Sequence, residues 1–210
     1  MHPNVIPLIF AYGCPRAGTS LLFQTLRQCK GVEVRKIKET QVNHPCKTRD
    51  GLVSLAHMFR PRPITFVRIV RSAEDIIHSF YAAKHPAFPD KRIGANSPLQ
   101  IARFIALEQA NTQGQWDCLP DNAKSNELAY ESINSGIGML GLSSENVERM
   151  EKFLMRDETC RRGARDMVKA GIIPSRKAAT TEQIEHILSL VEAVKEQHAN
   201  NDFIDCAKTE

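Results

Sequence analysis

Residues 5–26 read VIPLIFAYGCPRAGTSLLFQTL, and the fold follows from this stretch. Its first part, residues 5–12, is an apolar run with the length of a strand that is buried on both faces. A loop with a glycine near each end, residues 13–20, comes next. Apolar side chains then recur at helical spacing over residues 21–26, and Gly31 stands where a helix would end. The stretch therefore predicts a strand, a glycine-containing loop and a helix in succession.

Strand and helix patterns alternate along the rest of the chain. Strands are predicted over residues 32–38, 64–70 and 127–130. Helices are predicted over residues 52–59, 98–112 and 145–155, and two more begin at the capping boxes 72–75 and 180–183. This alternation predicts a single α/β domain over residues 1–210. We expect a mainly parallel sheet flanked by helices, with ligands at the carboxyl ends of the strands.

The composition excludes several classes of protein. Of the 210 residues, 42% are hydrophobic and 25% are charged, which excludes collagen-like and wholly disordered chains. No apolar run approaches the roughly 18 residues that span a bilayer, and residues 1–4 do not begin a secretory signal, so we expect a cytoplasmic protein without a membrane span. The six cysteines include no C-x-x-C pair, which favours free thiols over a zinc site.

Charge is unevenly distributed along the chain. Residues 1–71 carry 12 Lys and Arg against 3 Asp and Glu, whereas residues 72–210 carry 16 against 21. A basic segment of this kind suits an anionic ligand. A basic surface that serves only solubility would have the same composition, so the charge alone leaves both interpretations open.

The loop at residues 13–20 fits the phosphate-binding pattern G-x-x-x-x-G-x-[ST], with Thr19 at the position of the kinase lysine. Its glycines allow successive N–H groups to point at an anion in front of the following helix. The cation for a polyphosphate is missing, and no acidic residue ends the strand at 64–70 to help hold magnesium. Arg16 can instead stabilise charge on a leaving phosphate oxygen. A strand-to-helix turn without a ligand is the alternative.

A second anion site is predicted after the third strand. Arg71 ends that strand, and Ser79 follows eight residues later, about two turns into the next helix. The two side chains can therefore converge on one phosphate. The alternative is that Arg71 is a surface charge and Ser79 a small helix residue.

Residues 12–22, YGCPRAGTSLL, resemble the 5′-phosphosulfate loop of sulfotransferases, and residues 67–81, VRIVRSAEDIIHSFY, resemble their 3′-phosphate motif. Residues 127–132, ELAYES, are similar to a third segment of that family. The resemblance implies a P-loop NTPase-like sulfotransferase fold. It also implies an enzyme that moves a sulfuryl group from 3′-phosphoadenosine 5′-phosphosulfate (PAPS) to a hydroxyl or amine. The nucleotide product would be 3′-phosphoadenosine 5′-phosphate (PAP), and no metal would be required.

The resemblance also implies roles for individual residues. The 5′-phosphosulfate would be held by the loop residues Arg16, Ala17, Gly18, Thr19 and Ser20. Arg71 and Ser79 would hold the 3′-phosphate, and Tyr130 would lie by the adenine. Arg16 would also be catalytic, and the general base would be Glu39 or, as the alternative, His44. Arg161 and Arg162 partly match a loop that closes over the nucleotide, with residues 176–177 as the alternative.

The acceptor and the assembly state stay open at this point. A small molecule, a carbohydrate or a protein could accept the sulfuryl group, and the chain could be a monomer or a homodimer; no nucleic-acid partner is expected. Two other functions compete with the sulfotransferase: a nucleotide or small-molecule kinase with a degenerate phosphate loop, and a non-catalytic nucleotide-binding module.

Overall fold

The structure of the chain is a computed structural model, and it describes residues 6–14, 16–37, 51–82, 97–119, 123–156 and 179–206. The chain divides into two compact units. The first unit comprises residues 1–71 and 111–161, and the second comprises residues 72–110 and 162–210. The single domain expected over residues 1–210 stays a prediction.

The first unit contains the sheet and most of its helices. Its strands are β1 (Leu8–Gly13), β2 (Glu33–Lys36), β3 (Ile64–Val70) and β4 (Lys124–Ala129). Its helices are α1 (Thr19–Leu26), α2 (Gly51–Met58), α5 (Ile133–Gly136) and α6 (Ser144–Arg156), with 3₁₀ turns at Tyr130–Ser132 and Ile137–Leu140. The second unit contains α3 (Ala73–Ala82) and α7 (Thr181–Cys206). Helix α4 (Pro98–Asp117) begins in the second unit, and its last turns belong to the first.

The four strands form an all-parallel sheet in the order β2-β1-β3-β4, flanked by helices. The α/β prediction with a parallel sheet is confirmed. From β1 the chain moves to one neighbour, β2, and from β3 it moves the other way, to β4. The carboxyl ends of β1 and β3 therefore flank the point where the strand order reverses, which is the usual position of a ligand in an open α/β sheet.

Strand β1 lies at the centre of the core because its side chains are buried on both faces. On one face, Leu8, Phe10 and Tyr12 form a cluster with Phe66 of β3 and Leu52 of α2. The rings of Phe10 and Phe66 stack at 5.4 Å between centroids. Burial of each such side chain contributes about 1.5–3 kcal/mol, so this cluster holds the start of the loop in place.

Two predicted boundaries were wrong at the edge of the sheet. The fourth strand begins at Lys124 rather than at residue 127. The prediction missed its first residues because their exposed side chains lack the apolar pattern of a buried strand. Helix α4 continues to Asp117 instead of ending at residue 112. Its last turns are polar in sequence, but they find partners on the sheet.

Both predicted capping boxes lie at helix starts, and the box at residues 180–183 has both of its hydrogen bonds. The backbone N–H of Asp75 donates to Ser72 Oγ (3.1 Å) at the start of α3. At the start of α7, Gln183 N–H donates to Thr180 Oγ1 (3.2 Å), and Thr180 N–H donates to Gln183 Oε1 (3.0 Å). These bonds satisfy N–H groups that a helix start leaves without intrahelical acceptors. In the ranges that the structure describes, no helix is both long and apolar enough to cross a membrane.

Candidate anion-binding site

Two glycines allow the loop between β1 and α1 to lie close to its neighbours. A Cβ on Gly13 would stand 2.6 Å from the carbonyl oxygen of Ile69 in β3. Gly18 has a φ of +104°, and a Cβ there would stand 2.5 Å from Cδ2 of Tyr130. Any larger residue at either position would push the loop away from β3 or from Tyr130.

The loop turns tightly around Arg16. The N–H of Ala17 donates to the carbonyl oxygen of Cys14 at 3.0 Å, and Arg16 itself has a φ of 70°. A non-glycine residue in this left-handed region is uncommon and is held there by its surroundings. The structure thus places Arg16, Ala17 and Gly18 in one compact turn at the carboxyl end of β1, as the motif predicts.

Helix α1 presents its amino end to this turn. Its first intrahelical bond runs from Leu22 N–H to the Gly18 carbonyl oxygen (3.0 Å), so the N–H groups of residues 19–21 have no acceptor within the helix. The Thr19 side chain is 9% exposed, and its Oγ1 has no hydrogen-bond partner among the described residues. That oxygen lies 3.3 Å from the position of a Cβ on Gly13, so the hydroxyl reaches across the loop. Donors of this kind suit an anion.

Arg71 is fixed on two sides beside the loop. Its Nη1 donates to the carbonyl oxygen of Arg16 (3.2 Å), and its Cζ lies 4.2 Å from the centroid of the Tyr130 ring. Its Nε and Nη2 are buried without a hydrogen-bond partner in the described part of the chain. A buried donor without a partner costs about 1–3 kcal/mol. These two nitrogens form the edge of the guanidinium that binds two oxygens of a phosphate or carboxylate.

Three parts of the chain that lie far apart in sequence therefore meet at one place: Gly18, Arg71 and Tyr130. All three belong to the first unit. Ser79, the predicted partner of Arg71, lies half-buried on α3 in the second unit. Its predicted role stays a prediction.

Four of the predicted site residues lie outside the described residues: Glu39, His44, Arg161 and Arg162. The alternative basic pair at residues 176–177 lies outside them as well. Their proposed roles as base and as nucleotide-closing residues stay predictions.

Lys36 was missed by the sequence analysis. Its Nζ donates to Ser20 Oγ at 2.8 Å, which places an ammonium group beside the first turn of α1. The available signal was its position at the carboxyl end of β2, which pairs directly with β1. Side chains at the ends of adjacent parallel strands lie at the same edge of the sheet.

A second group missed from sequence lies one residue before the end of β1. Tyr12, Arg68 and Glu127 stand side by side across β1, β3 and β4. Arg68 is 5% exposed, donates to Glu127 through Nε and Nη2, and lies 4.6 Å from the centroid of the Trp116 ring. Tyr12 donates to Gln115 Oε1 (2.8 Å). These contacts fasten the last turns of α4 to the sheet.

The clearest pKa shifts occur away from the loop. Burial raises the pKa of Cys29 to about 11. At the start of β2, hydrogen bonds from Arg35 and Arg62 lower the pKa of Glu33. Within the described ranges, no group of three or more His, Cys, Asp and Glu side chains is placed to hold a metal ion.

Comparison with known proteins adds no family to these observations. No protein-family model matches the chain, and no curated protein matches it. Support for a function therefore lies in the motifs and in the geometry of the first unit.

Proposed function

We propose that the chain binds PAPS and transfers its sulfuryl group to an acceptor hydroxyl or amine, as a sulfotransferase with a P-loop-like fold. The observation that carries this proposal is the buried Nε–Nη2 edge of Arg71, which lacks a described partner and lies beside a phosphate-type loop. A nucleotide with one anionic group at each end of its sugar requires two such anion sites. A polyphosphate chain requires instead one extended cationic site.

The residues present fit the two ends of such a nucleotide. The N–H groups at the start of α1 and the Thr19 hydroxyl suit the 5′ group, because the N–H groups have no acceptor within the helix and Thr19 Oγ1 has no hydrogen-bond partner in the described residues. The Arg71 edge suits the 3′-phosphate, since two parallel N–H donors match two phosphate oxygens. The role of Ser79 on that phosphate stays a prediction from the sequence.

The chemistry favours sulfuryl transfer from PAPS over phosphoryl transfer from ATP. Thr19 stands where a kinase needs lysine, and β3, with the sequence ITFVRIV, has no acidic residue to help hold magnesium. Arg16 supplies a guanidinium within the loop instead. A single guanidinium in the loop suits one leaving phosphate better than a polyphosphate chain.

Each residue then has one task. When bound, PAPS supplies a sulfuryl group whose bond to the 5′-phosphate oxygen breaks as the acceptor oxygen or nitrogen bonds to sulfur. Arg16 would neutralise the charge that develops on the leaving phosphate oxygen. Glu39, or His44 in its place, would take the proton of the acceptor. Gly18 and Thr19 would hold the 5′ group in position.

Ligand binding separates the sulfotransferase from the kinase. We expect PAP to raise the melting temperature without magnesium, because a ligand at 100 times its Kd adds about 2.7 kcal/mol to the free energy of unfolding. ATP with magnesium at the same concentration should raise it less. The proposal is wrong if ATP with magnesium stabilises the chain and PAP does not.

Turnover separates the enzyme from a binding module. The transfer of radiolabelled sulfate from PAPS would be measured with a phenol, a sugar and a tyrosine-containing peptide as acceptors. Arg16→Ala and Glu39→Ala should each lower the rate at least about tenfold, the usual scale for loss of a charge-stabilising group or a general base. The matched control is Arg27→Ala, which removes an exposed arginine at the far end of α1. A chain that binds PAP but transfers no sulfate from PAPS to any of these acceptors would be a binding module.

A further inference from the structure

The Tyr130 ring lies close to both the loop and Arg71. The ring approaches Gly18 so closely that a Cβ there would stand 2.5 Å from Cδ2 and 2.7 Å from Cε2. The Arg71 guanidinium lies over the ring, with Cζ 4.2 Å from its centroid. The face of the ring under Arg71 is therefore covered by protein.

The same contact determines which guanidinium edge remains available. The Tyr130 ring packs against the plane of the Arg71 guanidinium, and the Arg16 carbonyl oxygen accepts a hydrogen bond from Arg71 Nη1 at 3.2 Å. These two contacts leave the Nε–Nη2 edge, which has no partner in the described residues. A flat guanidinium that is held in place loses less side-chain entropy when it binds two oxygens of an anion.

We propose that Tyr130 is a positioning residue, which selects nucleotides with a 3′-phosphate by holding the anion-binding edge of Arg71. This inference rests on the proposed function and changes one role within it. The resemblance placed Tyr130 by the adenine, whereas the geometry assigns its covered face to Arg71. Tyr130 then acts on the phosphate through Arg71 and makes no contribution to binding the base.

The experiment compares PAP with AMP, which lacks the 3′-phosphate, by calorimetry on the full chain. We expect Tyr130→Leu to lower the preference for PAP over AMP by about tenfold, the scale of a desolvated cation–π contact. The affinity for AMP should stay within about twofold, because binding of the base and the 5′-phosphate is unaffected. Tyr130→Phe keeps the ring and should keep the preference.

Two further variants exclude a merely structural effect. Phe59→Leu removes another aromatic ring that lies under an arginine, since Arg35 Cζ is 4.6 Å from the Phe59 centroid. This variant should leave the preference for PAP over AMP unchanged. In an Arg71→Lys background, Tyr130→Leu should cause no further loss, because the two residues act as one unit. Equal losses of PAP and AMP affinity in Tyr130→Leu would overturn the inference and return the ring to the adenine.

Failure of the proposed function has a different signature. A wild-type chain that does not prefer PAP to AMP contradicts PAPS binding, whatever Tyr130 does. Inorganic sulfate then tests the positioning role directly. Tyr130→Leu and Arg71→Lys should lower the affinity for sulfate by the same factor. An unchanged sulfate affinity in Tyr130→Leu overturns the positioning role.

Discussion

Two arginines three residues apart at one strand end use the same two nitrogens differently. Arg68 lies within β3 and Arg71 directly follows it. Each guanidinium lies over an aromatic ring, Trp116 at 4.6 Å and Tyr130 at 4.2 Å. Arg68 also uses its Nε and Nη2 to bind the carboxylate of Glu127. The same two nitrogens of Arg71 have no partner within the described residues.

The difference separates a structural arginine from one that, in our proposal, is held for a ligand. The Arg68 nitrogens are satisfied by Glu127 and by Gln113, which accepts from Nη1 at 3.0 Å. Their desolvation is offset by these bonds, so Arg68 stabilises the junction of α4 and the sheet. The desolvation of Arg71 is offset only in part. Its full compensation requires an anion, and the described residues do not provide one.

The largest expected effect tests that contrast on ligand affinity. Arg71→Met should lower the affinity for PAP about 100-fold, or roughly 2.7 kcal/mol, because it removes a charged bidentate donor. Arg68→Met should leave PAP affinity within about threefold of the wild type, provided that the variant is folded. Calorimetry on both variants measures the two values. Equal losses in both would remove the distinction between the two arginines.

Stability should show the reverse order. Arg68→Met should lower the free energy of unfolding by about 2 kcal/mol, a value below the range for fully buried pairs because Glu127 is 44% exposed. Arg71→Met should change it by less than about 0.5 kcal/mol, because the loss of its contacts with Arg16 and Tyr130 is offset by the removal of two buried donors without a described partner. Urea denaturation checks both variants. A more destabilising Arg71 variant would show that its guanidinium is structural.

Two threonines on α1 show the same contrast between a side chain with a hydrogen-bond partner and one without a described partner, and the expected effects are smaller. Thr19 Oγ1 has no described partner, whereas the buried Thr25 Oγ1 donates to the Leu21 carbonyl oxygen at 2.9 Å. Thr19→Val should lower PAP affinity about fivefold to tenfold without lowering stability. Thr25→Val, the matched control, should lower stability by about 1 kcal/mol and leave PAP affinity unchanged. The prediction fails if Thr19→Val leaves PAP binding intact.

The effect that is smallest at neutral pH is a pH dependence, and it sets the pH range in which these stabilities are compared. Burial raises the pKa of Cys29 from 9.0 to about 11, so between these values the folded chain keeps a proton that the unfolded chain releases. Stability from this thiol is complete below pH 9 and is lost as the pH rises towards 11. Urea denaturation at several pH values should show that decline. Cys29→Ala should flatten it, and an identical decline in that variant would assign the slope to other groups.

Local pattern predicted the elements that hold the loop. The apolar run of β1, the glycines and the helical spacing of α1 lie within one short stretch, so their structure depends on near neighbours. The two capping boxes are equally local. Strand β4 was predicted too short because an exposed edge strand carries little apolar signal. The last turns of α4 were missed because Gln113, Gln115 and Trp116 are stabilised by residues of the sheet.

The sequence by itself determined the parallel α/β class and the phosphate-type loop with threonine in place of lysine, because both depend on the types and spacing of residues close in the chain. Only the tertiary structure decided that Tyr130 supports Arg71, that Lys36 reaches Ser20, and that Arg68 is satisfied while Arg71 retains an unpartnered edge in the described residues. The physical reason is register. Which side chains meet across parallel strands depends on strand order and alignment, and these are fixed by packing of the whole sheet rather than by any one segment.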